Sequence, residues 1–448
     1  MNLTSIPFDR IMEFNPKHST RMHIDLNSCF ASVEQQANPF LRGKPMGVGA
    51  YETPNGCIIA PSREAKQLGI KTGMRVMDGK LISPNLVIIQ SDPAKYRTIH
   101  LRLKRLLLEY TDHIEPKSID EFVLDLEGTP SFKKGMLNVA KEIKKRILDE
   151  IGDFLTVNVG VAPNRFLAKT AAGLRKPDGL DEINISNYLQ IYSKLGLTDL
   201  CGIEKKYAAR LSQFGIFTVL DFYNADAKTL KYAFRSKIGY DWYLRLRGWE
   251  IDDVTFPRRS FGNSFALGTN LATPEQLAPI LMKLVDKTGW RMRKQGYKAN
   301  GIHLSLSFRS GNFWHRGMKL GKTLFDSRDI YKELFKMLHY CPYREPVRIL
   351  AESVFDLEAI ENAQLELFDD VDKKAKVVEA IDSVKEKYGS FSIMPGIMLG
   401  TEDIMPDRVS FGGVSELLEY TTEDNIDDIS NFSDDIYPDL EQGANYVW

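Results

Sequence analysis

A chain of 448 residues is longer than one hydrophobic core organises, since domains usually run to about 100–150 residues, so three or four folded units are expected. Its 43% apolar and 27% charged content is that of a folded, soluble protein and excludes a fibrous or wholly disordered chain. The net charge of −1 excludes nothing by itself, because it averages segments of opposite sign.

The first twenty residues (MNLTSIPFDRIMEFNPKHST) lack the apolar centre of a signal peptide. No run of about 18 apolar residues follows, so no membrane partner and a cytoplasmic location are expected. Cys29, Cys57, Cys201 and Cys341 stand far apart without a CxxC pattern and signal neither a zinc site nor a disulfide framework. Residues 22–27 (MHIDLN) read as a short strand carrying an acidic residue, followed by a helix over 28–36. Residues 38–61 are rich in Gly and Pro and contain a strand-like CIIA; a helical SREAKQL then stops at Gly69. Ile99, Leu103, Leu106, Leu107 and Tyr110 share one helical face, as do Ile143, Ile147 and Ile151, so both helices should lie on a sheet. Residues 118–126 (SIDEFVLDL) and 156–162 (TVNVGVA) alternate as strands, which with the first strand gives an antiparallel α+β domain with helices on one face.

Residues 186–250 read as short helices broken at Gly202, Gly215 and Gly239, and 200–222 has the rhythm of two helices joined by a hairpin, a device that points backbone N–H groups at a phosphate. After a linker near 252–258 the pattern is strand, helix (274–295), strand (301–309), strand, helix (327–339), strand. From 257 to 350 there are seventeen Lys and Arg against six Asp and Glu, interleaved with Trp290, Tyr297, Phe308, Phe313 and Trp314. Such a run can be a solvated face, but its density and its aromatics point to a nucleic-acid backbone. Beyond 361 the chain turns acidic, with a helix expected at 372–387 and a mobile tail after Asp424.

Asp120 and Glu121 are neighbours on a predicted strand, so their side chains start toward opposite faces unless the strand bends. Asp25 ends another apolar strand, where a buried carboxylate is costly unless a cation neutralises it. Three such carboxylates with a backbone carbonyl, that of Leu26, suffice for two Mg²⁺ ions, with Mn²⁺ as a substitute, clamping a transferring phosphate.

The segments HIDLNSCFASVEQ, SREAKQLGI, KSIDEFVLDL, VNVGVAPNRFLAKTAAGLRKPDG and the helical hairpin, in that order over about residues 21–350, resemble the Y-family translesion DNA polymerases, the UmuC-like bacterial branch more than the DinB-like one. The resemblance implies a right-handed polymerase. Its palm would be 21–30 and 84–185, its fingers 31–83, its thumb with a helix-hairpin-helix 186–255 and its little finger 258–355, between extensions at 1–20 and 356–448. It implies low-fidelity, template-directed synthesis on primer-template DNA from dNTPs, in an SOS-type damage response and without proofreading. Asp25, Leu26, Asp120 and Glu121 match the metal site, and Phe30 the aromatic gate that excludes a 2′-hydroxyl. Arg63, Lys66 and Lys176 match contacts to the triphosphate, and Cys57 and Ile59 the small residues roofing the nascent base pair. Three positions depart from the pattern: Asn27 stands for a second aspartate, Arg63 for a tyrosine and Glu204 for a hairpin glycine. Gln364, Leu365, Leu367 and Phe368 (QLELF) resemble the peptide that docks bacterial polymerases on the sliding clamp. A recombinase filament or a UmuD-like protein would be a further partner. A different two-metal enzyme, a nucleotidyl cyclase or nuclease, and a non-catalytic DNA-binding accessory protein are the alternative readings.

Overall fold

The computed structural model describes residues 12–254, 257–360, 371–388 and 392–401. These divide into two compact units, the first ending at Val254. Among the described residues no helix is long and apolar enough to cross a membrane.

The first unit contains β1 (Arg21–Leu26), β2 (Met46–Gly49), β3 (Ile58–Pro61), β4 (Val87–Gln90), β5 (Ile114–Pro116), β6 (Glu121–Asp125), β7 (Val157–Ala162) and β8 (Leu180–Glu182). Five of them form a sheet in the order β5-β6-β1-β7-β8, antiparallel except for the parallel β7–β8 pair. Met22, Ile24 and Leu26 of β1 face a core shared with Ile99, Leu103 and Leu107 of the helix Pro93–Leu108 and Ile143 of the helix Met136–Arg146. Both amphipathic stripes read from the sequence therefore lie on the sheet. A further helix, Arg165–Leu174, covers the other face, so helices flank the sheet on both sides rather than on one. The cause is local. Gly160 alternates with the core-facing Val159 and Val161, and a Cβ there would stand 2.0 Å from the carbonyl oxygen of Ala168. Only glycine, facing Ala168, Ala171 and Ala172, lets the helix lie this close.

A smaller sheet, β3-β2-β4, closes over Ile58, Ala65, Ile70, Val76 and Leu86. Beyond β8, the helices Tyr188–Tyr192, Lys205–Ser212, Val219–Asn224, Ala227–Phe234 and Ile238–Arg245 gather around Leu211, Phe222, Leu230 and Trp242. Met12 and Phe14 join that core. Arg247 locks them in place, its guanidinium donating to the carbonyls of Met12 (2.8 Å) and Tyr243 (3.0 Å) and lying 3.6 Å over the Tyr243 ring.

The second unit is a sheet of β9 (Ser260–Ala266), β10 (Tyr297–Phe308), β11 (Phe313–Leu324) and β12 (Val347–Ala359), all antiparallel in the order β11-β10-β12-β9. Ile302, Leu304 and Leu306 of β10 alternate inward against Leu281, Leu284 and Val285 of the helix Pro274–Lys294 and against Ile330 and Leu334 of the helix Ser327–Leu338. Element order and type follow the sequence pattern throughout, with β10 starting four residues before the predicted 301. The helix expected at 372–387 forms at Val371–Tyr388. It is fastened to the long helix by Arg293 to Asp382 (2.6 and 2.8 Å) and by the buried pair Lys385–Asp286 (2.5 Å), while Lys283 reaches the carbonyl of Thr401 (2.6 Å).

Candidate active site

The site lies at the C-terminal end of β1. Asp25 pairs across the strands with Glu121, and the Leu26 N–H donates to the Asp120 carbonyl at 2.9 Å. The strand predicted from residue 118 begins only at Glu121; Ser118, Ile119 and Asp120 form a bend. That bend removes Asp120 from strand alternation, so two carboxylates adjacent in sequence line the same cleft.

Each carboxylate already has a partner. Lys176 pairs with Asp25, Lys169 donates to both oxygens of Glu121 (2.9 and 2.7 Å), and Ser118 Oγ donates to Asp120 at 2.5 Å. Burial pushes the Asp120 carboxyl up, the Ser118 bond opposes this, and the charges of Asp25 and Glu121 push it further up. Behind them His23 is buried, its Nε2 3.9 Å from Glu121. Burial, then the positive charge of Lys169, lowers its pKa to about 3, so the imidazole is neutral. Among the described residues neither ring nitrogen of His23 has a hydrogen-bond partner. Among the described residues no three His, Cys, Asp or Glu side chains stand ready-made around a metal position; Asp25 and Glu121 are turned to their lysines.

A cleft of about 560 Å³ opens above the carboxylates, lined by Asp25, Leu26, Phe30, Ile59, Arg63, Lys66, Asp120, Glu121 and Lys176 among others. Nine of the ten residues expected at a metal and nucleotide site thus come together. Cys57 does not line the cleft; it is exposed, one bridge short of β3. Phe30 is fully buried from the other side and stacks on Tyr96, ring centroids 4.2 Å apart at 16°. Lys66 donates to Ser28 Oγ at 2.8 Å, and burial, followed by the repulsion of Lys176, lowers its pKa. Lys169 and His23 escaped the sequence reading. Lys169 stands in the quoted NRFLAKTAAG segment, where its spacing from the small residues facing Gly160 was the available signal.

Of the two helices expected within 200–222, Val219–Asn224 follows a turn at Gly215 (φ +73°), and Gly202, whose φ of +92° favours glycine, leads into the first, Lys205–Ser212. Glu204 is its N-cap and makes no side-chain capping bond. The QLELF peptide and the acidic segment from 402 lie outside the described residues.

Residues 24–173 match the impB/mucB/samB family and residues 258–367 its C-terminal domain. Over 398 residues the chain is 31% identical to DNA polymerase IV 1 of Bacillus subtilis, covering 87% of this chain and 95% of that one. A Y-family DNA polymerase chimera of Dbh and Dpo4 superposes with a TM-score of 0.66 at 26% identity, over 76% of this chain and 99% of the chimera. The chain is a Y-family DNA polymerase. DNA polymerase IV of Pelotomaculum thermopropionicum, 28% identical over 86% of this chain and 96% of its own, belongs to the same group of relatives. An insertion ternary complex of Dbh DNA polymerase aligns at 26% identity with a TM-score of 0.51, over 75% of this chain and 98% of that one. As a member of this family the chain is a metal-dependent nucleotidyltransferase with palm-like and little-finger-like domains.

Proposed function

We propose that this polymerase extends a primer along a template, opposite damaged bases as well as intact ones, by two-metal nucleotidyl transfer without proofreading, in an SOS-type response within the cytoplasm. One observation carries the reading: three carboxylates, an aromatic floor and three cations from distant segments share a single cleft. The donor set fits the metal. Three carboxylates and the Leu26 carbonyl offer the hard oxygens that Mg²⁺ or Mn²⁺ takes, and a cation there would relieve the burial and repulsion that raise Asp120. When bound, two such ions activate the attacking 3′-hydroxyl and neutralise charge on the transferring phosphate.

The chain supplies the rest. Lys169 and Lys176 hold Glu121 and Asp25 in place. Arg63, Lys66 and Lys176 meet the triphosphate, whose charge needs several cations. Phe30, rigid on Tyr96, fills the space a 2′-hydroxyl would need. Ile59, and Cys57 just outside the cleft, would press lightly on the nascent base pair. Palm (21–30, 84–185), fingers (31–83), thumb (186–255) and little finger (258–355) would grip primer-template DNA. The N–H groups after Gly202 and the basic second unit would meet phosphates, with Glu204 loosening the thumb's hold. Gln364, Leu365, Leu367 and Phe368 would dock on a sliding clamp, and a recombinase filament or UmuD-like protein would act as an accessory.

Templated primer extension with the wild type and with Asp120→Ala and Glu121→Ala tests the proposal. Extension lost in both variants is expected; cyclised or hydrolysed nucleotide without extension would place the chemistry in another class.

A further inference from the structure

Behind the cleft runs a chain of hydrogen bonds whose direction is fixed. The Gly179 N–H donates to Asn158 Oδ1 (2.9 Å), Asn158 Nδ2 to Asn27 Oδ1 (2.6 Å), and Asn27 Nδ2 to Thr156 Oγ1 (3.0 Å). Arg63 Nη2 donates to the same Thr156 oxygen. A backbone N–H can only donate, so starting from Gly179 each amide has one orientation that satisfies the series. Thr156 Oγ1 therefore accepts twice, from Asn27 and from Arg63. Asn158 is fully buried and Asn27 nearly so, which makes these bonds costly to break.

The far end is equally firm. Gly179 closes the turn that begins at Lys176, and Lys144 Nζ holds this turn through the carbonyls of Val157 (2.7 Å) and Asp178 (2.9 Å) and the Asp178 carboxylate (2.6 Å). The series thus links the segment carrying one cleft cation, Lys176, to another, Arg63. Arg63 Nε is buried and has no hydrogen-bond partner among the described residues, the state of a donor awaiting an acceptor. An arginine left free would surrender much rotamer entropy on binding a phosphate; one already tied at Nη2 surrenders less. The neutral amide at Asn27 matters too, because a carboxylate beside Thr156 would compete for the guanidinium as an ion-pair partner.

We infer that Thr156 is a positioning residue for nucleotidyl transfer, holding the Arg63 guanidinium through the Asn27–Asn158–Gly179 series in the orientation that meets the triphosphate of the incoming nucleotide. The inference rests on the proposed role of Arg63 and adds the device that orients it.

Steady-state single-nucleotide insertion by the full chain, with primer-template and each dNTP, tests it alongside the unfolding temperature. Thr156→Val is expected to raise KM for dNTP on the order of fivefold to tenfold while leaving kcat within about twofold, with a modest fall in unfolding temperature because the buried Asn27 amide loses its acceptor. Thr156→Ser, which keeps the hydroxyl, restores KM. Arg63→Gln raises KM at least as much, and adding Thr156→Val to it has no further effect. If Arg63→Gln raises KM and Thr156→Val does not, or if Thr156→Val lowers kcat well beyond twofold, the positioning role is overturned while the reading of Arg63 stands. If Arg63→Gln leaves KM unchanged, both fall.

Discussion

Asp120 and Glu352 are both carboxyls that burial pushes above their ordinary range, yet they sit in opposite settings. Asp120 occupies a bend at a strand end, beside a cleft and two further carboxylates. Glu352 lies mid-strand in β12, 3% exposed, with Thr288 of the covering helix donating to it at 2.5 Å and Asn263 of β9 donating to Thr288 at 2.9 Å. A strand end opens to loops that can bring cations and substrate to the charge; a strand centre under a helix cannot. The same desolvation therefore falls on a group open to a cation in one unit and sets pH-dependent stability in the other.

The comparison breaks most visibly if removing charge has like effects at both positions. Asp120→Asn is expected to lower kcat at least about a thousandfold, and Glu352→Gln to leave it within about twofold, measured by single-nucleotide insertion. Next in size is the buried pair of the second unit. Asp286→Ala strands the Lys385 ammonium and should destabilise that unit by about 3 kcal/mol, read from denaturant-dependent hydrogen exchange of the helix Pro274–Lys294, with no matching change in β1. Phe30→Leu sharpens the first half: discrimination between dNTP and rNTP should fall on the order of tenfold to a hundredfold, while unchanged sugar selectivity would remove Phe30 from the gate. The smallest effect is a pH dependence. The Glu352 carboxyl is raised to about 7, opposed by the Thr288 hydrogen bond. Its stabilising contribution is thus complete below the unfolded value of about 4.3 and is lost as pH rises to about 7. Protection of β12 and β9 amides, corrected for intrinsic exchange, should fall over that window and flatten in Glu352→Gln.

The same contrast explains what the sequence made legible. The second unit is built from contacts that repeat along each element, so periodicity gave its strands and helices in order, with β10 longer than expected. In the first unit β1, β6 and both core stripes were equally readable. The cleft was readable only through motif spacing, because its pairings join residues 48 (Lys169–Glu121) and 151 (Lys176–Asp25) apart in the chain. Thr156 gave no signal, since a threonine opening a strand is ordinary until Arg63 and Asn27 meet at its hydroxyl. The helix Arg165–Leu174 was missed because the residues it sets against Gly160 are Ala168, Ala171 and Ala172, which write no hydrophobic stripe.

The most direct measurement is insertion of single nucleotides opposite each of the four template bases, and opposite a lesion, by the full chain with Mg²⁺. Insertion chiefly of the complementary base, with persistent misinsertion and passage beyond the lesion, is expected. Nucleotide turnover that ignores the template would contradict the assignment of this cleft to templated synthesis.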